Sequence, residues 1–172
     1  MQVNGDKRYF AIQWEIDFKI DRYTYGFLCF WADNIRIGDY EHHTTISICL
    51  SFLKDFLNEK GDRSFEGSIN MNKEDLFYVL YEQAYDPEHP NSYEEIAAFE
   101  NTFWLDAIGE RSIRDSVGII LIDEKKANRQ RLIWKDLEKN EIKEAFFPLL
   151  YFETIAQEFL RGACNEINLR FQ

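Results

Sequence analysis

Few residues in this chain have the type and spacing to do chemistry, and they do not converge. His42 and His43 follow Asp39 and Glu41, while His89 stands far along the chain. A metal site needs ligands aimed at one point, and adjacent loop side chains point apart. Asp39 to His43 therefore reads as a solvated strand-to-helix loop. A small hydrolase-like site around Asp39, His42 and His43 is the alternative, since loops often carry function. Cys29 or Cys49 could pair with His42 as a nucleophile. Both sit among apolar neighbours, which raise a thiol pKa and make it inert. No G-x-S-x-G, HExxH, P-loop or G-x-G-x-x-G occurs, so no cofactor or metal is expected. Gly26 lies within an aromatic run and marks a bulge or close approach rather than a phosphate site.

Two charged stretches remain. Lys125, Lys126, Arg129 and Arg131 alternate with Asp123 and Glu124 and read as decoration on a hairpin tip. The stretch from Glu82 to Glu110 is different. It carries Glu82, Asp86, Glu88, Glu94, Glu95, Glu100, Asp106 and Glu110 and no Lys or Arg. Tyr85, Tyr93, Phe99, Phe103 and Trp104 are interleaved with them. One reading is a solvated loop with a few core anchors. The other is a partner-binding surface made of Glu82, Asp86, Glu88, Tyr93, Glu94, Glu95, Glu100, Trp104 and Asp106. Aromatic side chains supply contact area there, and carboxylates steer a basic partner.

The whole composition points the same way. The 172 residues suit a single domain over 1–172. Thirty-one Asp and Glu against twenty Lys and Arg leave a net charge of −11. Nucleic acid and anionic membranes are poor partners for such a chain, because both are bound by neutralising phosphates. A basic protein is the favoured partner, and a monomer is the expected state of the free chain. The N-terminus lacks an apolar stretch behind a basic start, so no signal peptide is expected. The longest apolar run, Ala145 to Phe152, is too short for a membrane span. Cys29, Cys49 and Cys164 are odd in number and form no C-x-x-C, which suits reduced thiols in the cytoplasm.

Elements that would position these residues can be read from periodicity. Phe10, Ile12, Trp14 and Ile16 alternate with polar residues, as in a strand with one buried face. Tyr23 to Ala32 reads as a strand covered on both faces. Asp33-Asn34 tolerates positive φ and turns the chain into Ile35-Arg36-Ile37. Helices are expected after Thr44 or Thr45, with Ile46, Cys49, Leu50, Leu53, Phe56 and Leu57 inward and Gly61 as stop, and over Lys73–Tyr85 with Asn72 as N-cap. Asp86-Pro87 and His89-Pro90 break the second, and a short helix near Glu94–Ala98 follows. Val117 to Asp123 is a buried strand pairing with Arg129 to Lys135. A final helix covers about Leu149–Gly162. The sum is an α+β fold: an antiparallel sheet of about five to six strands with helices packed on one face.

Several of these segments resemble a known family. Phe10-Ala11-Ile12-Gln13, Trp31 with its following turn, Ile35-Arg36-Ile37-Gly38-Asp39, and the late run Phe147-Pro148 to Tyr151-Phe152-Glu153 are similar to immunity protein 42 of bacterial polymorphic toxin systems, the contact-dependent inhibition type. Asp33-Asn34 replaces the Asn-Gly common in that family, and Leu149-Leu150 stands where glycine is frequent. The resemblance implies a cytoplasmic, non-catalytic antitoxin that binds and neutralises one cognate toxin domain. Such toxins are frequently basic nucleases, which an acidic inhibitor suits. A nucleic-acid mimic acting on many enzymes is a further reading.

Overall fold

The computed structural model describes residues 1–58, 62–86 and 91–170. The expected stop at Gly61, the breaks at Pro87, His89 and Pro90, and Glu88 lie outside these residues. The alternating N-terminal segment forms β2 (Phe10–Ile20), paired antiparallel with β3 (Tyr23–Ala32). Asp33 and Asn34 both take left-handed φ, 49° and 59°, and turn the chain into β4 (Ile35–Ile37). A Cβ on Gly26 would sit 1.9 Å from the Glu15 carbonyl oxygen. The register shifts beside it, between Ile16 and Phe18. This glycine therefore permits a close backbone approach at a bulge, as its place in an aromatic strand suggests.

Two strands of this sheet carry no periodic signal. β1 (Gln2–Asp6) pairs with β2, and the two-residue β5 (Thr44–Thr45) pairs with β3. The polar residues of β1 are mostly exposed and its order comes from backbone pairing. α1 (Ile46–Asn58) follows directly, with Ile46, Cys49, Leu50, Leu53 and Phe56 buried as their spacing requires.

Three more strands form a second antiparallel sheet: β6 (Val117–Glu124), β7 (Arg129–Asp136) and β8 (Glu141–Pro148). β8 is an edge strand rich in charge, which hid it from a search for apolar alternation. The α+β architecture of antiparallel strands with packed helices is as the sequence predicts, and the eight strands among the described residues divide between two sheets.

The helices differ from expectation at their ends. α2 (Lys73–Leu80) is capped by Asn72, whose side chain accepts from the Asp75 amide, and stops at Tyr81. Residues 82–85 continue as a 3₁₀ turn. α3 (Tyr93–Phe103) is longer than its weak pattern suggests, and α4 (Glu110–Arg114) is short. α5 (Tyr151–Arg170) runs straight through Gly162. A Cβ there would lie 3.3 Å from the Trp14 ring, so this glycine serves helix–sheet contact and not termination. Leu150, just before α5, holds a left-handed φ of 66°.

One hydrophobic cluster joins the two sheets. Phe10, Ile12, Trp14 and Phe30 of the first meet Ile119, Leu121, Leu132 and Phe147 of the second, with Leu53 of α1 and Phe159 of α5 between them. The opposite face of the second sheet, Ile120, Ile122 and Ile133, is covered by Leu76, Phe77 and Leu80 of α2 and by Phe103 and Trp104. Burial on both faces explains why β6 reads as an uninterrupted apolar run.

Candidate partner-binding surface

The acidic stretch is built as the lid of this second cluster, so its residues fall into two groups. Trp104 is only 2% exposed. Its indole N–H donates to the Leu80 carbonyl at 2.7 Å, and the Tyr81 and Tyr85 rings pack on it with centroids 4.6 and 5.6 Å away. Asp106 is 3% exposed. Its carboxylate accepts from the Tyr81 hydroxyl at 2.9 Å, while its other oxygen, Oδ1, has no hydrogen-bond partner among the described residues. Burial pushes this carboxyl up to about 6, against the Tyr81 hydrogen bond. Trp104 and Asp106, expected on the binding surface, are therefore interior residues: an indole and a desolvated acid closing the core.

Other acids of the stretch are committed to neighbours from distant sequence. Glu82 pairs with Lys135 of β7. Glu100 meets Arg114 at 3.2 Å. Glu110 accepts from the Thr45 amide at 2.8 Å and so anchors α4 at the base of α1. Glu95 completes a capping box: it accepts from the Ser92 amide at 2.8 Å while its own amide donates to Ser92 Oγ. The Ser92 amide holds the Glu95 carboxyl below its usual range.

A smaller set faces outward. Tyr93 is 83% exposed at the start of α3, beside exposed Glu94. Tyr78 and Tyr85 are also exposed, and the Tyr78 hydroxyl donates to Asp86 at 2.9 Å. The Asn91 side chain donates to the Gln83 carbonyl at 2.9 Å, which ties the start of α3 to the 3₁₀ turn. The 3₁₀ turn that ends at Tyr85 and the start of α3 are thus joined. Glu88 lies outside the described residues.

The residues of the histidine alternative divide between two contacts. His42 Nδ1 contacts Asp39 Oδ2 at 2.5 Å, and the Glu41 amide, with His42, holds the Asp39 carboxyl below its usual range. His43 turns away: its ring lies 4.3 Å from that of Phe27, and Nε2 contacts Asp17 at 2.8 Å. Among the described residues no three His, Cys, Asp or Glu side chains are grouped to hold a metal. Cys29 and Cys49 are buried, and desolvation pushes both thiols up to about 12, the protonated and unreactive state.

The hairpin tip is solvated at Lys125 and Lys126, as its pattern suggests, and Arg131 at its base is the exception. Arg131 is 4% exposed. It donates to Glu144 at 2.8 Å and to the Ser68 and Met71 carbonyls at 2.9 and 3.0 Å. Gln130, fully buried, donates to Asp123 at 2.8 Å and to Glu153 at 3.1 Å, next to the buried Arg63. Burial pushes the Arg63 guanidinium below its usual range, with Asp123 opposing. These are interior charge networks that join β7 to the loop before α2 and to α5.

Sequence reasoning missed one exposed feature. Phe52 lies off the buried stripe of α1 and is 44% exposed, with a cavity on each side. Its signal was available: a large aromatic on the polar side of a helical repeat.

A family model for immunity protein 42 matches residues 1–162. No curated protein sequence matches the chain. The crystal structure of CdiI from Burkholderia dolosa AUO158 is similar in fold, with a TM-score of 0.74 and 16% identity, over 94% of this chain and 99% of that one. No described helix is long and apolar enough to cross a membrane. The segments that carried the resemblance, Phe10–Gln13 at the start of β2, Ile35–Asp39 over β4 and the turn after it, and Phe147–Glu153 leading into α5, are fold determinants spread over the matched length, and the chain belongs to the immunity protein 42 family.

Proposed function

We propose that this chain is a cytoplasmic, non-catalytic antitoxin that binds one cognate toxin domain and neutralises it, and that the toxin is a basic nuclease. Family membership over residues 1–162 carries this reading. The net charge of −11 supports a basic partner. The proposed contact surface is the outward-facing part of the acidic stretch: Tyr78, Tyr85, Asp86, Tyr93 and Glu94, with Glu82, Glu88, Glu95 and Glu100 contributing long-range field. Tyrosine is a frequent hot-spot residue because it offers a large rigid ring and a polar tip.

The test is surface plasmon resonance against the toxin domain encoded beside this gene, over a salt series. Glu94→Lys should slow association severalfold at low salt and lose that effect at high salt, since exposed charges are screened within about 8 Å at physiological ionic strength. Tyr93→Ala should speed dissociation and cost about 2 kcal/mol of affinity. The double variant His42→Ala, His43→Ala should still protect cells from the toxin. Unchanged rates in the first two variants would remove this surface from consideration. Lost protection in the folded histidine variant would favour the hydrolase-like alternative.

A further inference from the structure

The exposed face of α1 carries a built feature that the acidic stretch shares. Cavities of 290 and 200 Å³ flank Phe52. The smaller lies between α1 and α3 and has an apolar floor of Phe56, Trp104 and Ile108. Asp55 and Glu100 also line it, and no Lys or Arg does so among the described residues. Asp55 is exposed, lines both cavities, and makes no hydrogen bond or ion pair among the described residues.

Size and chemistry restrict the occupant. Small-molecule sites enclose about 300–1,000 Å³, so a 200 Å³ slot fits a single side chain better than a substrate or cofactor. An aliphatic side chain would leave the Asp55 carboxylate without a partner at the edge of a desolvated surface. A cationic side chain satisfies both parts. Its methylene stem lies along apolar surface while its head stays polar, aromatic faces attract the cation, and a charge-assisted hydrogen bond to a carboxylate completes the contact.

We propose that this slot between α1 and α3 receives one lysine or arginine side chain of a basic partner protein, its stem against Phe52, Phe56 and Trp104 and its head at Asp55 and Glu100. The inference rests on the antitoxin reading above and adds a specific subsite to it. Glu100 is shared with Arg114 at 3.2 Å, so an incoming cation competes with that surface pair. Asp55, without a partner among the described residues, carries the specificity.

The experiment measures binding of the toxin domain encoded beside this gene to the full chain and to two variants. Asp55→Asn removes the charge, and Asn101→Trp fills the slot from an exposed lining position. Each should weaken binding at least fivefold with an unchanged melting temperature. A double-mutant cycle against Lys→Ala and Arg→Ala changes in the toxin should find one cation whose loss abolishes the effect of Asp55→Asn. If the parent chain binds and both variants stay within twofold of it, the slot is overturned and the antitoxin reading stands. If the parent chain does not bind, the antitoxin reading falls, and the slot with it.

Discussion

The acidic stretch of Glu82 to Glu110 and the mixed hairpin of Asp123 to Arg131 each divide between exterior and interior: Tyr93 and Glu94 of the first and residues 125–128 of the second are exposed, while other residues of both are buried. The stretch holds eight carboxylates and no cation, which suggests a uniformly charged exterior. In the fold, Lys135 and Arg114 arrive from elsewhere to meet Glu82 and Glu100, Glu95 caps a helix, and Asp106 is buried. The hairpin alternates acid and base and suggests an ordinary solvated tip. In the fold, Asp123, Glu124, Gln130 and Arg131 are all buried. Local charge density therefore does not distinguish surface from core. What distinguishes them is whether a partner of opposite charge, or a carbonyl, arrives from a distant segment to offset desolvation.

Three measurements can break or sharpen this comparison. The largest effect belongs to the hairpin. Arg131→Ala strands Glu144, leaves Glu124 to Arg129 alone, and takes from the Ser68 and Met71 carbonyls their donor. Breaking a buried ion pair from one side costs about 3–5 kcal/mol. Glu94→Gln in the acidic stretch should leave the urea midpoint where it was. Similar midpoints for the two variants would mean that the hairpin charges are solvated after all.

An intermediate effect comes from Asp106. Its ordinary value is 3.8 and burial raises it to about 6. Between those values the folded chain holds a proton that the unfolded chain has released. Stability therefore falls as pH rises through that window and stays lower above it, by up to about 3 kcal/mol. Asp106→Asn cannot ionise, so its stability relative to the parent should improve by that amount from pH 4 to pH 7. Chemical denaturation at both pH values measures it, and a constant difference would show that Asp106 is hydrated.

The smallest effect belongs to Glu82, whose pair with Lys135 is partly exposed. Glu82→Gln should cost about 1 kcal/mol or less, within the usual range for such pairs. A loss as large as that of Arg131→Ala would make the acidic stretch as structural as the hairpin.

Legibility in the sequence followed the range of the interactions involved. The strand alternation of β2, the Asp33-Asn34 turn, the stripe of α1 and the Asn72 cap depend on residues a few positions apart, and all were readable. β1 and β8 depend on backbone pairing with a neighbouring strand, which leaves little trace in side-chain pattern. Gly162 looked like a stop because its reason, the Trp14 ring, lies on another element. In the candidate surface, the exposure of Tyr93 and Glu94 agrees with the sequence reading. Trp104 does not, because the same interleaved pattern describes a lid over Ile120 and Ile133.

Composition and short-range pattern by themselves determined that this protein is acidic, aromatic-rich and α+β. They also carried a resemblance, through strand and helix motifs, to the family that it belongs to. Those properties are sums over residues or depend on spacings of two to four positions, so no third dimension is needed to read them. The tertiary structure alone decided which of the thirty-one carboxylates face outward. It also decided that Arg131 lies inside and that Phe52 and Asp55 share a slot with Glu100. The physical reason is that a charge is free or committed according to what lies within about 4 Å of it, and in a folded chain those neighbours come from segments far apart in sequence.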